Sequence, residues 1–255
     1  MSRIFYILTL SAKHGLLEVR INDMVVLANN VEDTYTINLP LNNLIPSTGM
    51  QELLCTLKPN LGNNILEDDC MVEGAINRTV VNEELTQVLD DKQLIQFHFD
   101  SERPSYEPLS FFADTPYELN IYNDAVNLTH NVQLPSLIAD TYRRLNALLE
   151  NQQYDLFIQE LMAHDNNLAR SLYWKVTPDI TLWRQDQIKM LLESGFRLMP
   201  PDNSSPLTFY GYGYLVRPMA PDGNTALRLY HPSGDQYDLD LYFRLQTHDN
   251  HLTLI

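Results

Sequence analysis

The sequence predicts an α+β protein of two domains, an acidic antiparallel β-sandwich followed by about three helices packed on a second antiparallel sheet. Three observations support this prediction. Short extended runs alternate with turn residues through the first half of the chain, and apolar residues then recur at helical spacing. Beyond the helices, apolar and polar residues alternate again. The change from extended to helical pattern places a domain boundary near residues 127–135.

The first domain, residues 1–130, is predicted from short extended runs separated by turn-forming residues such as Asn22-Asp23. Seven or eight strands in a domain of this length are typical of a β-sandwich. The segment Asn82–Leu89 offers a short helical alternative. The predicted strands are Arg3–Leu10, Leu16–Ile21, Met24–Ala28, Thr34–Leu39, Glu52–Lys58, Met71–Val80, Leu94–Phe99 and Tyr117–Tyr122.

The second domain, residues 131–255, opens with three predicted helices between about residues 136 and 195. Ser136 suits the N-cap of the first helix, because its hydroxyl can accept a hydrogen bond from a backbone N–H of the first turn. A second helix is expected from about Gln152. A third is expected after Pro178 and should end at Gly195, since glycine favours the left-handed backbone that often follows a helix.

Residues from about 207 to 255 are predicted to form a four-stranded antiparallel meander. Within one of its strands apolar and polar residues alternate strictly, which indicates a sheet with one covered face. The three helices would cover that face, and a cone-like sheet wrapped around a long helix is one such arrangement. The four strands are Leu207–Arg217, Ala226–His231, Tyr237–Leu245 and His251–Ile255.

The charge of the chain restricts its expected partners. Its 255 residues include 17 basic and 33 acidic side chains, a net charge of −16, and residues 1–132 carry −12 of this excess. Proteins that bind nucleic acid normally show an excess of Lys and Arg, so nucleic acid is not an expected partner. An acidic surface instead favours a basic protein partner, whose association it accelerates.

Cysteine usage and hydropathy indicate a cytoplasmic protein. Cys55 and Cys70 form no metal or redox motif, and two reduced thiols are favoured over a single disulfide. The apolar run Ile4–Leu10 is short for a signal peptide and suits a first strand. No window approaches the length of a membrane-spanning helix, so no membrane association is expected. The oligomeric state stays open.

Two acidic clusters in the first domain form the candidate partner-binding surface. Solvated loop charges are the ordinary interpretation of such clusters, and an anionic surface that attracts a basic partner is the functional one. The candidate residues are Glu67, Asp68, Asp69, Glu73, Asp90 and Asp91.

A tyrosine- and glycine-rich segment, Phe209–Tyr214, is the most distinctive stretch of the second domain. In a strand its three tyrosines would share one face and could line a ligand pocket, with nearby carboxylates as polar anchors. Sheet curvature at the glycines and cross-strand Arg–Asp pairs are the structural alternatives. The candidate pocket residues are Tyr210, Tyr212, Tyr214, Arg228, Asp238, Asp240 and Tyr242.

No motif in the sequence indicates catalysis, a cofactor or a metal. The chain lacks H-E-x-x-H, G-x-S-x-G, a P-loop and a dinucleotide-binding glycine motif. The predicted function is therefore a non-enzymatic protein-interaction module, for example an inhibitor or immunity-type protein that masks a basic partner. A small-molecule-binding α+β domain, less favourably a catalytic one, and a structural subunit of a larger assembly are the alternatives.

Overall fold

The structure is a computed structural model that describes residues 2–59, 65–66, 68–102, 107–174, 178–199, 205–220 and 223–255, and only the backbone of residues 178–181. It confirms the α+β class. Its contacts divide the chain into two compact units. The N-terminal unit comprises residues 1–119 with 171–173, and the C-terminal unit comprises residues 120–170 with 174–255.

The described residues form three α-helices and strands of very unequal length. The helices are α1 (Leu134–Glu150), α2 (Tyr154–Ser171) and α3 (Pro178–Glu193). The strands are β1 (Arg3–Ile21), β2 (Met24–Pro40), β3 (Gly49–Lys58), β4 (Met71–Val81), β5 (Val88–Asp100), β6 (Leu109–Ala113), β7 (Arg197–Leu198), β8 (Leu207–Tyr210), β9 (Leu215–Pro218), β10 (Arg228–Tyr230), β11 (Gln236–Asp238), β12 (Phe243–Arg244) and β13 (Thr253–Leu254).

The N-terminal unit is built around β1, a strand of 19 residues. β1 pairs with β2 along one side, and on its other side it pairs first with β4 and then with β3. The sheet has six strands in the order β5-β4-β1-β3-β6, with β2 beside β1. The strands predicted separately at Arg3–Leu10 and Leu16–Ile21 are one strand, because the chain passes a bulge at His14, whose φ is 46°, and continues.

The two layers expected of a sandwich are therefore parts of one curled sheet. Tyr6 of β1 contacts Phe111 of β6, the last strand in the sheet order, with 6.2 Å between the ring centroids. The Tyr6 hydroxyl donates to the Asp114 carbonyl (3.0 Å) and accepts from the Asp114 N–H (2.6 Å). One apolar cluster fills the curl, and both halves of β1 contribute to it, with Leu10 and Leu17 fully buried.

Three further segments of the predicted first domain differ from the prediction. β6 was not predicted, and Tyr117–Tyr122, predicted as a strand, belongs to no strand of the described structure. Its side chains alternate between buried and exposed, so the burial pattern is that of a strand without the ladder. Asn82–Leu89 contains no helix: the Asn82 Oδ1 accepts the N–H groups of Thr86 and Gln87, which closes the turn between β4 and β5.

The three helices of the C-terminal unit lie where their apolar spacing predicted them. α1 begins at Leu134, and Ser136 is not its N-cap, because its hydroxyl donates to the Gln133 carbonyl (2.7 Å). α3 ends at Glu193, and Gly195, whose φ is +110°, takes the left-handed conformation just beyond the helix that the sequence predicted for it. The N–H groups of Gly195 and Phe196 bond back to Leu192 and Leu191, and this pattern satisfies the last carbonyls of the helix.

The four runs predicted as one meander are divided between two small sheets. β11, β10 and β7 form a three-stranded sheet, and β13, β12, β9 and β8 form a four-stranded one. The predicted strand Tyr237–Leu245 is split between them, because the Leu241 N–H bonds to the Leu239 carbonyl (2.8 Å) and bends the chain. Leu239, Leu241 and Phe243 are nevertheless all buried, as their alternation predicted.

Candidate functional site

The first acidic cluster lies near the start of β4 and is partly neutralised within the chain. Asp69 accepts hydrogen bonds from Lys13 Nζ (2.5 Å) and from the His14 ring (2.7 Å). Those contacts lower the pKa of the Asp69 carboxyl to about 2. Asp68 and Glu73 are exposed. Glu67 lies outside the described residues.

The second cluster lies on β5, an edge strand that pairs with β4 alone in the described part of the chain. Arg78 Nη1 lies 3.2 Å from Asp90 Oδ2, and the Thr79 hydroxyl donates to Asp91 (2.7 Å). All six residues from Val88 to Gln93 are exposed. In this half of β5, both the outward backbone groups of the strand edge and the side chains are therefore open to solvent.

Apolar and acidic groups stand side by side on this exposed half of β5. Val88 and Leu89 are 58% and 54% exposed, although both are large aliphatic side chains. Glu83 and Glu84 in the preceding turn are also exposed, and Lys92 is the nearby cation on the strand itself. An exposed apolar pair framed by carboxylates is a feature of contact surfaces more than of inert ones.

The structure separates the two acidic clusters along the same hairpin. Glu73 and Thr79, the β4 residue opposite Asp91, are six positions apart on β4. At the rise of an antiparallel strand this corresponds to about 20 Å. The five acidic candidates that the structure describes therefore form two surfaces, and of these two only the one on β5 combines charge with an open strand edge.

Two bulges interrupt the pairing of β5 with β4. The register shifts between Ile76 and Asn77, and again between Val80 and Val81, so Leu94 and Leu89 each lack an opposite residue. Bulges bend an edge strand and disturb the regular spacing of its outward N–H and C=O groups. They are one of the devices by which natural edge strands avoid pairing with each other.

The tyrosine- and glycine-rich segment is a turn, and the prediction that its tyrosines share a strand face is wrong. Gly211, Tyr212 and Gly213 have φ values of 57°, 59° and 89° and connect β8 to β9. Three successive left-handed residues reverse the chain instead of extending it. Tyr210 is buried, whereas Tyr212 is 54% exposed at the tip of the turn.

Beside this turn, Arg217 joins three of the pocket candidates into one cluster. Its guanidinium carbon lies 3.9 Å from the centroid of the Tyr242 ring, and Tyr210 packs edge-on against Tyr242 at 5.0 Å. Nη2 of Arg217 lies 2.6 Å from Asp240 Oδ1. The Asp240 side chain is 80% exposed, so its carboxylate faces solvent.

Asp238 and Arg228 make the corresponding pair on the three-stranded sheet. Nε of Arg228 lies 3.0 Å from Asp238 Oδ1 and donates to the Thr225 carbonyl (2.8 Å), and Nη1 donates to Gln236 (2.7 Å). Arg228 is buried, whereas Asp238 is 37% exposed. The two aspartates therefore serve as ion-pair partners of arginines, which is the structural alternative considered for them.

His164 interacts electrostatically with Arg217, and the sequence pattern did not identify it as a candidate. It lies within α2. Burial lowers its pKa, and the Arg184 and Arg217 guanidiniums lower it further, while Asp165 and Asp240 act in the opposite direction. Because these partners come from separate segments, no local spacing could reveal the cluster.

A pocket of about 410 Å³ lies in the C-terminal unit, away from the candidates named from the sequence. The ends of α1 and α3, the start of α2 and the strand β7 surround it. It is lined by Asn146, Leu149, Glu150, Gln152, Tyr154, Leu192, Glu193, Arg197 and Leu198. This lining comes from separate segments of the chain, so no local signal in the sequence indicated it.

Three further features of the described residues bear on function. Among those residues, no three His, Cys, Asp or Glu side chains are grouped so that they could hold a metal ion. No described helix has the length and apolar character needed to cross a membrane. Cys55 and Cys70 are buried reduced thiols, and burial raises the pKa of Cys55 to about 12.

Comparison of the chain with protein-family models, curated proteins and solved structures finds no match. The assignment of function therefore depends on the geometry described above.

Proposed function

We propose that this protein is a non-enzymatic interaction module whose N-terminal unit binds a basic protein partner along β5. The observation that supports the proposal is the exposed half of β5, Val88–Gln93, which carries Asp90 and Asp91 on a strand edge. One form of such an interaction is an immunity-type pair, in which one protein inhibits the other.

The edge of β5 supplies the affinity in this proposal. On an edge strand every second residue directs its N–H and C=O groups away from the sheet, where an extended segment of another chain can accept and donate hydrogen bonds. The exposed Val88 and Leu89 side chains add apolar surface beside those groups. Because each side chain is only a little more than half exposed, burying it would stabilise a complex by about half of the ~1.5–3 kcal/mol that a fully exposed side chain contributes.

The carboxylates select the partner. Two copies of β5 laid edge to edge would bring Asp90 and Asp91 toward the same residues of the other copy, and like charges facing each other across strands are destabilising. The bulges at Leu89 and Leu94 limit the regular edge to Asp90–Gln93, so pairing with any added strand is short, a second copy of β5 included. A segment rich in Lys or Arg meets the same carboxylates favourably, so the edge discriminates by charge.

The charge of the whole N-terminal unit supports the same partner class. Residues 1–119 contain 7 basic and 18 acidic side chains, a net charge of −11. A field of this sign raises the association rate of basic proteins, and salt reduces the effect. Partner capture should therefore be strong at low salt and weaker at high salt.

The test compares two matched pairs of acidic residues. The variant Asp90→Asn/Asp91→Asn alters β5, and the control Glu32→Gln/Asp33→Asn alters two consecutive acidic residues on β2 that are also exposed. Each tagged protein is used to capture partners from lysate of the source cells at low and high salt, and the captured protein is then purified for kinetics. We expect the β5 variant to associate about ten times more slowly at low salt, and the control to behave like the wild type.

Each other outcome contradicts the proposal in a distinguishable way. Equal association of all three proteins places the contact away from β5. Equal slowing by both variants shows a general effect of net charge. Capture of further copies of this chain alone would support the alternative of a structural subunit.

A further inference from the structure

We infer that the pocket at the ends of α1 and α3 binds a small organic cation, an amine carried on a compact apolar body. This site lies in the C-terminal unit and is independent of the proposed contact on β5. Its volume of about 410 Å³ is within the range of small-molecule sites.

The floor of the pocket is apolar. Leu149, Leu192 and Leu198 line it, and each is buried. Tyr154, at the start of α2, supplies an aromatic wall. A hydrocarbon body removed from water would rest on the leucines, and the face of a tyrosine ring attracts a nearby cation.

The rim of the pocket is anionic because two helices end on it in the same way. α1 ends with Leu148-Leu149-Glu150 and α3 ends with Leu191-Leu192-Glu193. The C-terminal end of a helix carries partial negative charge, so a carboxylate there is unfavourable and a cation is favourable. Neither helix has a basic residue in its last turn. A bound cation would offset the two carboxylates and the end of α1, whereas the end of α3 already has the Arg197 guanidinium on its Leu192 carbonyl and the start of α2 adds partial positive charge.

The polar neighbours of the two carboxylates reduce this negative charge without removing it. Arg197 lines the pocket as a cation, and its guanidinium donates to the carbonyls of Leu192 (2.8 Å) and Phe196 (2.6 Å) at the end of α3. Asn146 donates to Glu150 (2.7 Å), which is a neutral contact that fixes the carboxylate in place. Lys189 Nζ lies 3.9 Å from Glu193, and the lysine does not line the pocket.

Shape and charge together define the ligand class. An ammonium group offers three hydrogen-bond donors, which the carboxylate oxygens of the lining can accept. The apolar floor selects a body that is compact and uncharged. A carboxylate ligand would meet two like charges and the negative end of α1, with Arg197 as the cation of the lining to attract it, and it should be rejected.

The test uses 2-phenylethylammonium as the probe, with phenylacetate and 2-phenylethanol as anionic and neutral analogues of similar shape. Binding is followed by NMR through the methyl signals of the three floor leucines. The variant Glu150→Gln/Glu193→Gln removes both charges, and Asp186→Asn removes an exposed charge elsewhere on α3. Thermal unfolding checks folding, and the double variant should be at least as stable as the wild type because it lacks the unfavourable anions.

We expect the amine to shift the leucine signals saturably in the wild type and in Asp186→Asn, and at least tenfold more weakly in the double variant. Phenylacetate should cause no saturable shift, and 2-phenylethanol should bind more weakly than the amine. Absence of saturable amine binding, equal binding by the double variant, or equal binding of phenylacetate would each overturn the inference. None of these results bears on β5.

Discussion

At the residue scale, two residues that follow helices adopt the left-handed backbone conformation. Gln152 follows α1 and Tyr173 follows α2, and both have a φ of 57°. The Tyr173 hydroxyl donates to the Ile4 carbonyl (3.0 Å) and accepts from the Ile4 N–H (3.1 Å), within the N-terminal unit. Its ring also packs edge-on against Phe5. Tyr173 therefore has contacts that offset its strained backbone.

We expect glycine to have opposite effects at these two positions. Gln152→Gly should raise the free energy of unfolding by about 1 kcal/mol, because it relieves the left-handed strain. Tyr173→Gly should lower it, because the hydroxyl and ring contacts are lost. Urea unfolding measures both changes. As a control, Gln153→Gly, at the next position, should be destabilising. A stabilised Tyr173→Gly protein would show that its contacts contribute less than the strain.

The burial of the Cys55 thiol leads to a prediction for the free energy of unfolding at alkaline pH. Burial raises its pKa from 9.0 to about 12, so the folded thiol stays protonated where the unfolded one ionises. The contribution of this thiol to the free energy of unfolding is complete below pH 9 and is lost as the pH rises toward 12. Over that whole window the loss is about 4 kcal/mol. Urea unfolding at increasing pH should show a smaller alkaline loss for Cys55→Ala, and an identical slope would contradict the prediction.

At the element scale, His164 in α2 makes the stability of the protein depend on pH in the acidic range. Burial is the main cause of its lowered pKa, with Arg184 and Arg217 adding to it against Asp165 and Asp240. A base with a lowered pKa stabilises the fold above its unfolded value of 6.5, and this contribution is lost as the pH falls below it. Wild-type stability should therefore fall more steeply than that of His164→Gln when the pH is lowered through 6.5. Parallel pH profiles would exclude this role for His164.

The helices could be predicted from the sequence because their signals are local. The apolar spacing of α1, α2 and α3 and the glycine after α3 lie within the segments that fold. The strands depend on partners far away in sequence, and their prediction was less complete. The first six residues of β5 have polar side chains on both faces, so no alternation marked them as a strand. Only pairing with β4 makes this segment extended.

The candidate sites show the same division between local and distant information. The sequence located Asp90 and Asp91 as an acidic pair but could not show that they lie on a strand edge. It grouped Tyr210, Tyr212 and Tyr214 by strand periodicity, although the glycines between them turn the chain. The pocket was missed because its lining comes from three helix ends and a short strand, which no single segment reveals.

At the scale of the whole molecule, net charge is the dominant feature. A chain with a net charge of −16 repels itself when compact, and salt screens that repulsion. The melting temperature should therefore rise from low to moderate sodium chloride, while capture of a basic partner weakens. A melting temperature that falls with salt would show that internal ion pairs, such as Arg20 with Glu18 and Asp23, outweigh the repulsion.

The position of β1 inside its sheet sets the order in which backbone amides exchange with deuterated water. From Ile7 to Ile21 β1 has a neighbour on one side throughout, and β4 or β3 covers most of its other side. Its amides should exchange only when the N-terminal unit unfolds as a whole, whereas alternate amides of β5 exchange from the folded state. The slow set reports the stability of the unit, and added protection of the fast set reports a strand that has joined the edge.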